Sequence, residues 1–174
     1  MGVGRTRCAK VGRMETKRSS DALRGFPIVV IENVAWGDRD AFGYVNNTVY
    51  LRWFEDARVA YLDAIGFLYG PMNVVGPVLH STLCRFRRPL GYPDTLKVGA
   101  RVTEITDERI TMEHRVVSTT LGEVAAEGAS VIVAYDYSKD LRVPLPAYLK
   151  GRLDPLEKGV EEAKTARLKP RTRR

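Results

Sequence analysis

Residues 47–65 read NTVYLRWFEDARVAYLDAI. Tyr50, Trp53, Phe54, Ala57, Tyr61 and Ala64 recur every three or four positions, the spacing of an apolar stripe on an α-helix. Arg52, Glu55, Asp56 and Asp63 fall off that stripe. Asn46 or Asn47 can cap the start, and Gly66 can end the helix. A helix with such a stripe must bury it against another element. Upstream, PIVVIENVAW at 27–36 is β-branched and flanked by Gly25 and Gly37, the composition of a strand. GDRDAFGYVN at 37–46 joins the two as a loop, with Gly, Asp and Asn where turns need them.

Downstream, Gly70, Pro71, Gly76 and Pro77 break the chain. Four strand-like runs follow, at 78–88, 95–105, 109–119 and 123–137. Pro89–Pro93 punctuates the first pair. Asp107-Glu108 and Leu121-Gly122 read as hairpin turns. Alternation in ITMEHRVV and ASVIVAY suits antiparallel strands with one buried face. The order β-α-β-β-β-β makes an α+β protein whose one long helix lies on the sheet. The expected domain is 26–143. It is flanked by a basic tail at 1–25 and a tail at 144–174 with one short helix, AYLKGRL.

The chain has 174 residues, 44% hydrophobic and 28% charged, enough for one core. No apolar run approaches the ~18 residues of a membrane span, so no membrane partner is expected. The net charge is +7. Residues 1–20 carry six Lys/Arg against Glu15, and residues 150–174 carry nine against four acids. The body between them is slightly acidic, so nucleic acid is not an expected partner. The Arg-rich start resembles an organelle leader in composition, but no amphipathic stripe runs through it. Two cysteines, Cys8 and Cys84, fit a reducing compartment, and a cytoplasmic location is expected. No Cys/His spacing suits a metal and no Gly-rich loop suits a nucleotide, so no cofactor is expected.

Chemistry concentrates at 36–47, WGDRDAFGYVNN. Asp38 and Asp40 precede the helix, and Gly43 lets the backbone bend or approach a ligand. The first helical turn leaves N–H groups unpaired and carries partial positive charge, a seat for an oxygen that becomes negative during reaction. A carboxylate beside such a seat suits acyl transfer. Asp38 reads as a turn residue bonded to its own backbone, and Asn46 as a cap. Trp53, Phe54 and Tyr61 read as core, Cys84 as a small buried hydrophobe, and His80 and His114 as isolated strand histidines, either satisfied or on the surface.

Residues 38–58, DRDAFGYVNNTVYLRWFEDAR, resemble the signature of hotdog-fold thioesterases of the 4-hydroxybenzoyl-CoA thioesterase type. That pattern is Asp-x-Asp-x-x-Gly-His-Val, an Asn pair, a Tyr, then Glu-x-x-Arg on the helix. The strand and helix order over 27–137, with Pro89 and Asp94 at the usual break, resembles the same family. The Val-Asn-Asn stretch is also similar to acyl-ACP thioesterases. The resemblance implies a curved antiparallel sheet round one helix, in a homodimer or tetramer with the site at the subunit interface. It implies Asp40 as the catalytic carboxylate, acting as nucleophile or general base, with the Asn47 backbone N–H on the carbonyl oxygen and Gly43 shaping the approach. Tyr44 stands where the pattern has His, and can donate a hydrogen bond but is a poor base.

The expected reaction is hydrolysis of acyl-CoA, with coenzyme A present only as part of the substrate. Tyr44, Asn46 and His80 are expected to line the site. Arg85, Arg87, Arg88 and Arg109 are candidates for the phosphates, because the guanidinium fork suits them. The rival readings are an acyl-ACP thioesterase steered by the basic tails, a non-catalytic acyl-thioester binder suggested by Tyr44, and a dehydratase, which would need a histidine the loop lacks. Glu55 lies on the helix that bears the carboxylate in another thioesterase lineage, but more simply pairs with Arg58 at i+3.

Overall fold

A computed structural model describes residues 21–68, 74–153 and 156–157. The strands are β1 (Ile28–Asn33), β2 (Val75–Phe86), β3 (Thr95–Ile105), β4 (Arg109–Ser118), β5 (Val124–Asp136) and β6 (Leu141–Val143). The long helix, α1, is Asn47–Ala64. The strands form one antiparallel sheet in the order β1-β3-β4-β5-β2, with β6 added on β5. The expected strands and helix are all present, and the sheet curves round α1 as a hotdog. Register shifts at Leu79/Ser81, Val102/Glu104 and Val116/Val117 are the bulges that bend long strands round a helix.

The helical stripe is buried as the spacing requires. Trp53, Phe54, Ala57 and Tyr61 are fully enclosed, against Leu96, Val98, Ile110, Met112, Ala126 and Ile132 of the sheet. A buried Trp or Phe of this kind costs about 3–5 kcal/mol when cut to Ala. Two positions depart from the pattern. Ala64 is exposed, because the helix is ending and Leu62 and Ile65 turn inward instead. Arg58 is buried although it is charged. Phe54 reaches the sheet over Gly128, where an added Cβ would lie 2.3 Å from its ring. Gly66, at φ +68, ends the helix as expected.

The expected first strand ran to Trp36, whereas β1 stops at Asn33. The Asp38 carboxylate accepts the Ala35 N–H at 2.8 Å and draws Trp36–Asp38 into one 3-10 turn. A side chain that bonds its local backbone competes with the sheet ladder. The packed body also exceeds the expected 26–143. Leu23 is buried with Phe26 and Val117 on the outer face of the sheet, and Leu149 and Leu153 belong to the main core. The Tyr61 hydroxyl donates to the Glu157 carboxylate at 2.6 Å, and the Val102 N–H donates to the same oxygen at 3.0 Å. The rest of both expected tails, with Cys8, lies outside the described residues. Among the described residues, no helix is long and apolar enough to cross a membrane.

Candidate active site

The loop between β1 and α1 is pinned by backbone bonds. Asp40 N–H donates to Tyr44 C=O at 2.7 Å, and Gly43 N–H to Asp40 C=O at 3.1 Å. Val45 N–H donates to Leu90 C=O at 2.9 Å, and Asn46 N–H to Asp38 C=O at 2.8 Å. Gly43 holds the tight bend at φ +86, a conformation that disfavours any side chain. Asp38 is buried and takes Ala35 N–H on one oxygen and the Arg52 guanidinium, at 2.9 Å, on the other. It is a brace for the loop, as its turn position implied.

Asp40 is exposed. Its Oδ1 accepts Phe42 N–H at 2.8 Å and Tyr44 N–H at 3.1 Å. No hydrogen bond to its Oδ2 is found among the described residues. The carboxylate is thus oriented through one oxygen and leaves the other open. Asn46 is the cap of α1, its side-chain oxygen accepting Thr48 N–H at 3.0 Å and Thr48 Oγ1–H at 2.9 Å. That satisfies the second helical N–H and leaves the first, on Asn47, without a partner among the described residues. Such terminal N–H groups hold oxyanions well.

These groups face a common cavity of about 420 Å³, lined by Asp40, Tyr44, Val45, Asn46, Asn47, Tyr50, Phe86, Arg87, Arg88 and Pro89. Six of the residues singled out in the sequence meet there: Asp40, Tyr44, Asn46, Asn47, Arg87 and Arg88. Gly43 shapes the bend behind them. His80 and Arg85 sit exposed on β2 and line no part of this cavity. Arg109 starts β4 opposite Val133, seven residues along β5 from Ala126, which pairs with Phe86, so within one chain it stands at the far end of the sheet. Its partner is Glu104, at 3.8 Å. Glu55 pairs with Arg58 at 3.7 Å and does not reach the cavity.

Sequence reasoning missed Tyr50 and Phe86. Their rings meet edge to face, 5.0 Å between centroids, and form the apolar wall. Tyr50 was assigned to the core by its stripe position; lying in the first turn, it is core and cavity wall together. Burial pushes its hydroxyl up to about 12, so it stays protonated. The two arginines are held from the sheet side. Arg87 donates through Nε at 3.0 Å and NH2 at 2.7 Å to one oxygen of Glu127, and Arg88 Nε donates to Glu123 at 2.8 Å.

His114 corrects the expectation for a strand histidine. It is fully buried, stacked on Phe54 at 5.0 Å, with Nε2 3.0 Å from Ser130 Oγ and Nδ1 without a partner among the described residues. Burial, and then the nearby Arg58 charge, push its pKa down to about 3, so it is neutral. Cys84 is half-buried against the core, and burial raises its thiol to about 11.

The Thioesterase-like superfamily model matches residues 34–153. An Aquifex aeolicus protein named "Putative esterase" is 32% identical over 90 residues, 51% of this chain and 70% of its own length. A Thermus thermophilus thioesterase, solved with coenzyme A and zinc, is 31% identical with a TM-score of 0.66, over 77% of this chain and 96% of that one. A thioesterase-superfamily structure from Jannaschia sp. CCS1 is 28% identical with a TM-score of 0.67, over 75% and 82% of the two chains. With the fold, the loop and its cavity in agreement, the chain belongs to the thioesterase-like superfamily and is a thioester hydrolase.

Proposed function

We propose that the chain hydrolyses acyl-CoA thioesters, as a member of the 4-hydroxybenzoyl-CoA thioesterase type, with Asp40 as the reacting carboxylate and the Asn47 N–H as the oxyanion donor. The observation that carries this reading is the cavity where the free Asp40 Oδ2, the unpaired Asn47 N–H and two arginines converge. The similar Thermus protein, solved with coenzyme A, supports the substrate class.

The thioester carbonyl oxygen accepts from Asn47 N–H, and its carbon faces Asp40. As general base, Asp40 takes a proton from water while the water oxygen bonds to the carbonyl carbon. The C–S bond then breaks and the proton passes to the departing sulfur. As nucleophile, Asp40 Oδ2 bonds to the carbon itself, the C–S bond breaks and the thiolate departs, and water then opens the mixed anhydride, releasing the acid and restoring the Asp40 carboxylate. Both routes use the same atoms. A thiol of pKa near ~8.5 departs without a strong acid, which suits a site with Tyr44 in place of His. Tyr44 and Asn46 border the acyl end, and Arg87 and Arg88 take the phosphate end. No metal or redox group enters the chemistry.

The working unit is a homo-oligomer. β2 is a twelve-residue edge strand with no partner on its outer side among the described residues and with Leu79, Leu83 and Phe86 exposed. Free edges of this length are normally covered, and a second copy of β2 would cover it. His80 and Arg85, on the same strand, would then lie near the site of the joined pair. The test is thiol release from a panel of acyl-CoAs. Asp40→Asn should lose at least about 100-fold in kcat, the lower range for removing a general base. Unchanged turnover in that variant would remove Asp40 from the reaction.

A further inference from the structure

Arg87 is tied to a row of alternating charges that crosses the outer face of the sheet. Arg101 on β3 pairs with Glu113 on β4, and Glu113 also receives Arg115 at 3.0 Å. Arg115 reaches Glu127 on β5 at 3.4 Å, and Glu127 receives Arg87 at 2.7 Å. The row is anchored from outside: Arg115 donates to Ala22 C=O at 2.6 Å, and Phe26 lies against both Arg101 and Arg115, about 5 Å from each guanidinium. Glu127 is therefore held on one side by Arg115 and holds Arg87 on the other.

The bond to Arg87 is two-pronged, from Nε and NH2, which fixes the plane of the guanidinium and leaves NH1 without a hydrogen bond among the described residues. Arg87 and Arg88 form a ridge between the catalytic cavity and a second depression of about 740 Å³ on the outer side, to which Glu123 and Glu127 contribute. The Arg88–Glu123 pair is more exposed than Arg87–Glu127 and joins no further ion pair among the described residues, Arg88 NH1 donating only to Arg87 C=O at 3.3 Å. Exposed single pairs hold little, whereas networked, two-pronged ones keep their geometry.

We infer that Glu127 is a positioning residue that presets the Arg87 guanidinium for the phosphate end of the substrate. This rests on the acyl-CoA reading above. An arginine already ordered by a carboxylate loses less side-chain freedom when a phosphate binds, so affinity gains from the preset geometry. Glu127 touches no reacting atom, and its effect should appear only for substrates that carry phosphates.

The experiment compares kcat/KM for acetyl-, hexanoyl- and benzoyl-CoA with the matching N-acetylcysteamine thioesters, which have the same reacting bond and no phosphate. Glu127→Gln should lower the CoA-to-N-acetylcysteamine ratio about fivefold, through KM. Arg87→Lys, which keeps the charge but lacks Nε, should lower it similarly. On an Arg87→Gln background, Glu127→Gln should change the ratio no further, because it acts through that guanidinium. A ratio within twofold of wild type in both single variants, or fully additive losses in the double variant, overturns the inference while leaving the hydrolase reading intact. Wild-type protein that cleaves none of the CoA esters overturns the reading beneath it as well.

Discussion

Asp38 and Asp40 lie two residues apart in opposite surroundings. Asp38 is buried with both oxygens engaged, one by Ala35 N–H and one by Arg52. Asp40 is exposed, with Oδ1 engaged and Oδ2 without a hydrogen bond among the described residues. Sequence separated the two only by motif position, since either could be a turn residue. His114 supplies a prediction at this scale. Its folded pKa lies near 3 and its ordinary value near 6.5. Between those values the unfolded chain binds the proton and the folded one does not. The stability due to neutral His114 is fully present above about pH 6.5 and is lost as pH falls toward 3. The slope should approach, at most, about 1.4 kcal/mol per pH unit. Urea denaturation at several pH values should show this slope, and His114→Gln should flatten it; an equal slope in the variant would place the acid sensitivity elsewhere.

Among the elements, α1 and β5 meet at one close approach. Phe54 lies flat beneath His114 and directly over Gly128, so the helix approaches the sheet as closely as a missing side chain allows. A methyl at 128 would also meet the Leu83 carbonyl at 2.6 Å, a backbone atom that cannot swing away. Gly128→Ala should therefore destabilise by about 1–3 kcal/mol, the usual cost of overpacking, read as a lower urea midpoint with m unchanged. A midpoint equal to wild type would mean that β2 and α1 part easily. This glycine was invisible as a requirement in the sequence, where it sat inside a strand pattern without a visible neighbour. The helix itself was legible, because its stripe needs only the 3.6-residue period. The identity of its cap, left open between Asn46 and Asn47, was decided by which side chain reaches Thr48 N–H.

For the whole molecule, the open question is how β2 is covered. Leu83 is 62% exposed in the middle of that edge strand. Leu83→Asp should leave the subunit folded, since most of the side chain is exposed, yet shift the particle to monomer mass by light scattering. Thioesterase activity should fall with it if the site is completed across the interface. Wild-type protein that is monomeric at micromolar concentration would remove that interface. The two ends of the domain also belong to this scale. Residues 21–25 and 144–157 read as tails by composition, but Leu23, Leu149 and Leu153 are core residues. Isolated apolar side chains among charged ones leave no period to read, and only the surfaces they meet show their role.

The order of elements, the helix and its buried face, the loop with its two carboxylates and the bend at Gly43 are local consequences of composition and spacing, so sequence alone determined them. Family membership followed because the motif is contiguous, from Asp38 to Arg58. Contacts between residues far apart in the chain needed the tertiary structure. It brought Arg87 and Arg88 to the cavity with Tyr50 and Phe86, set Arg109 at the opposite end of the sheet, and buried His114 beside Arg58. The physical reason is that strand pairing and the bulges decide which distant residues share a face. No local pattern carries that register.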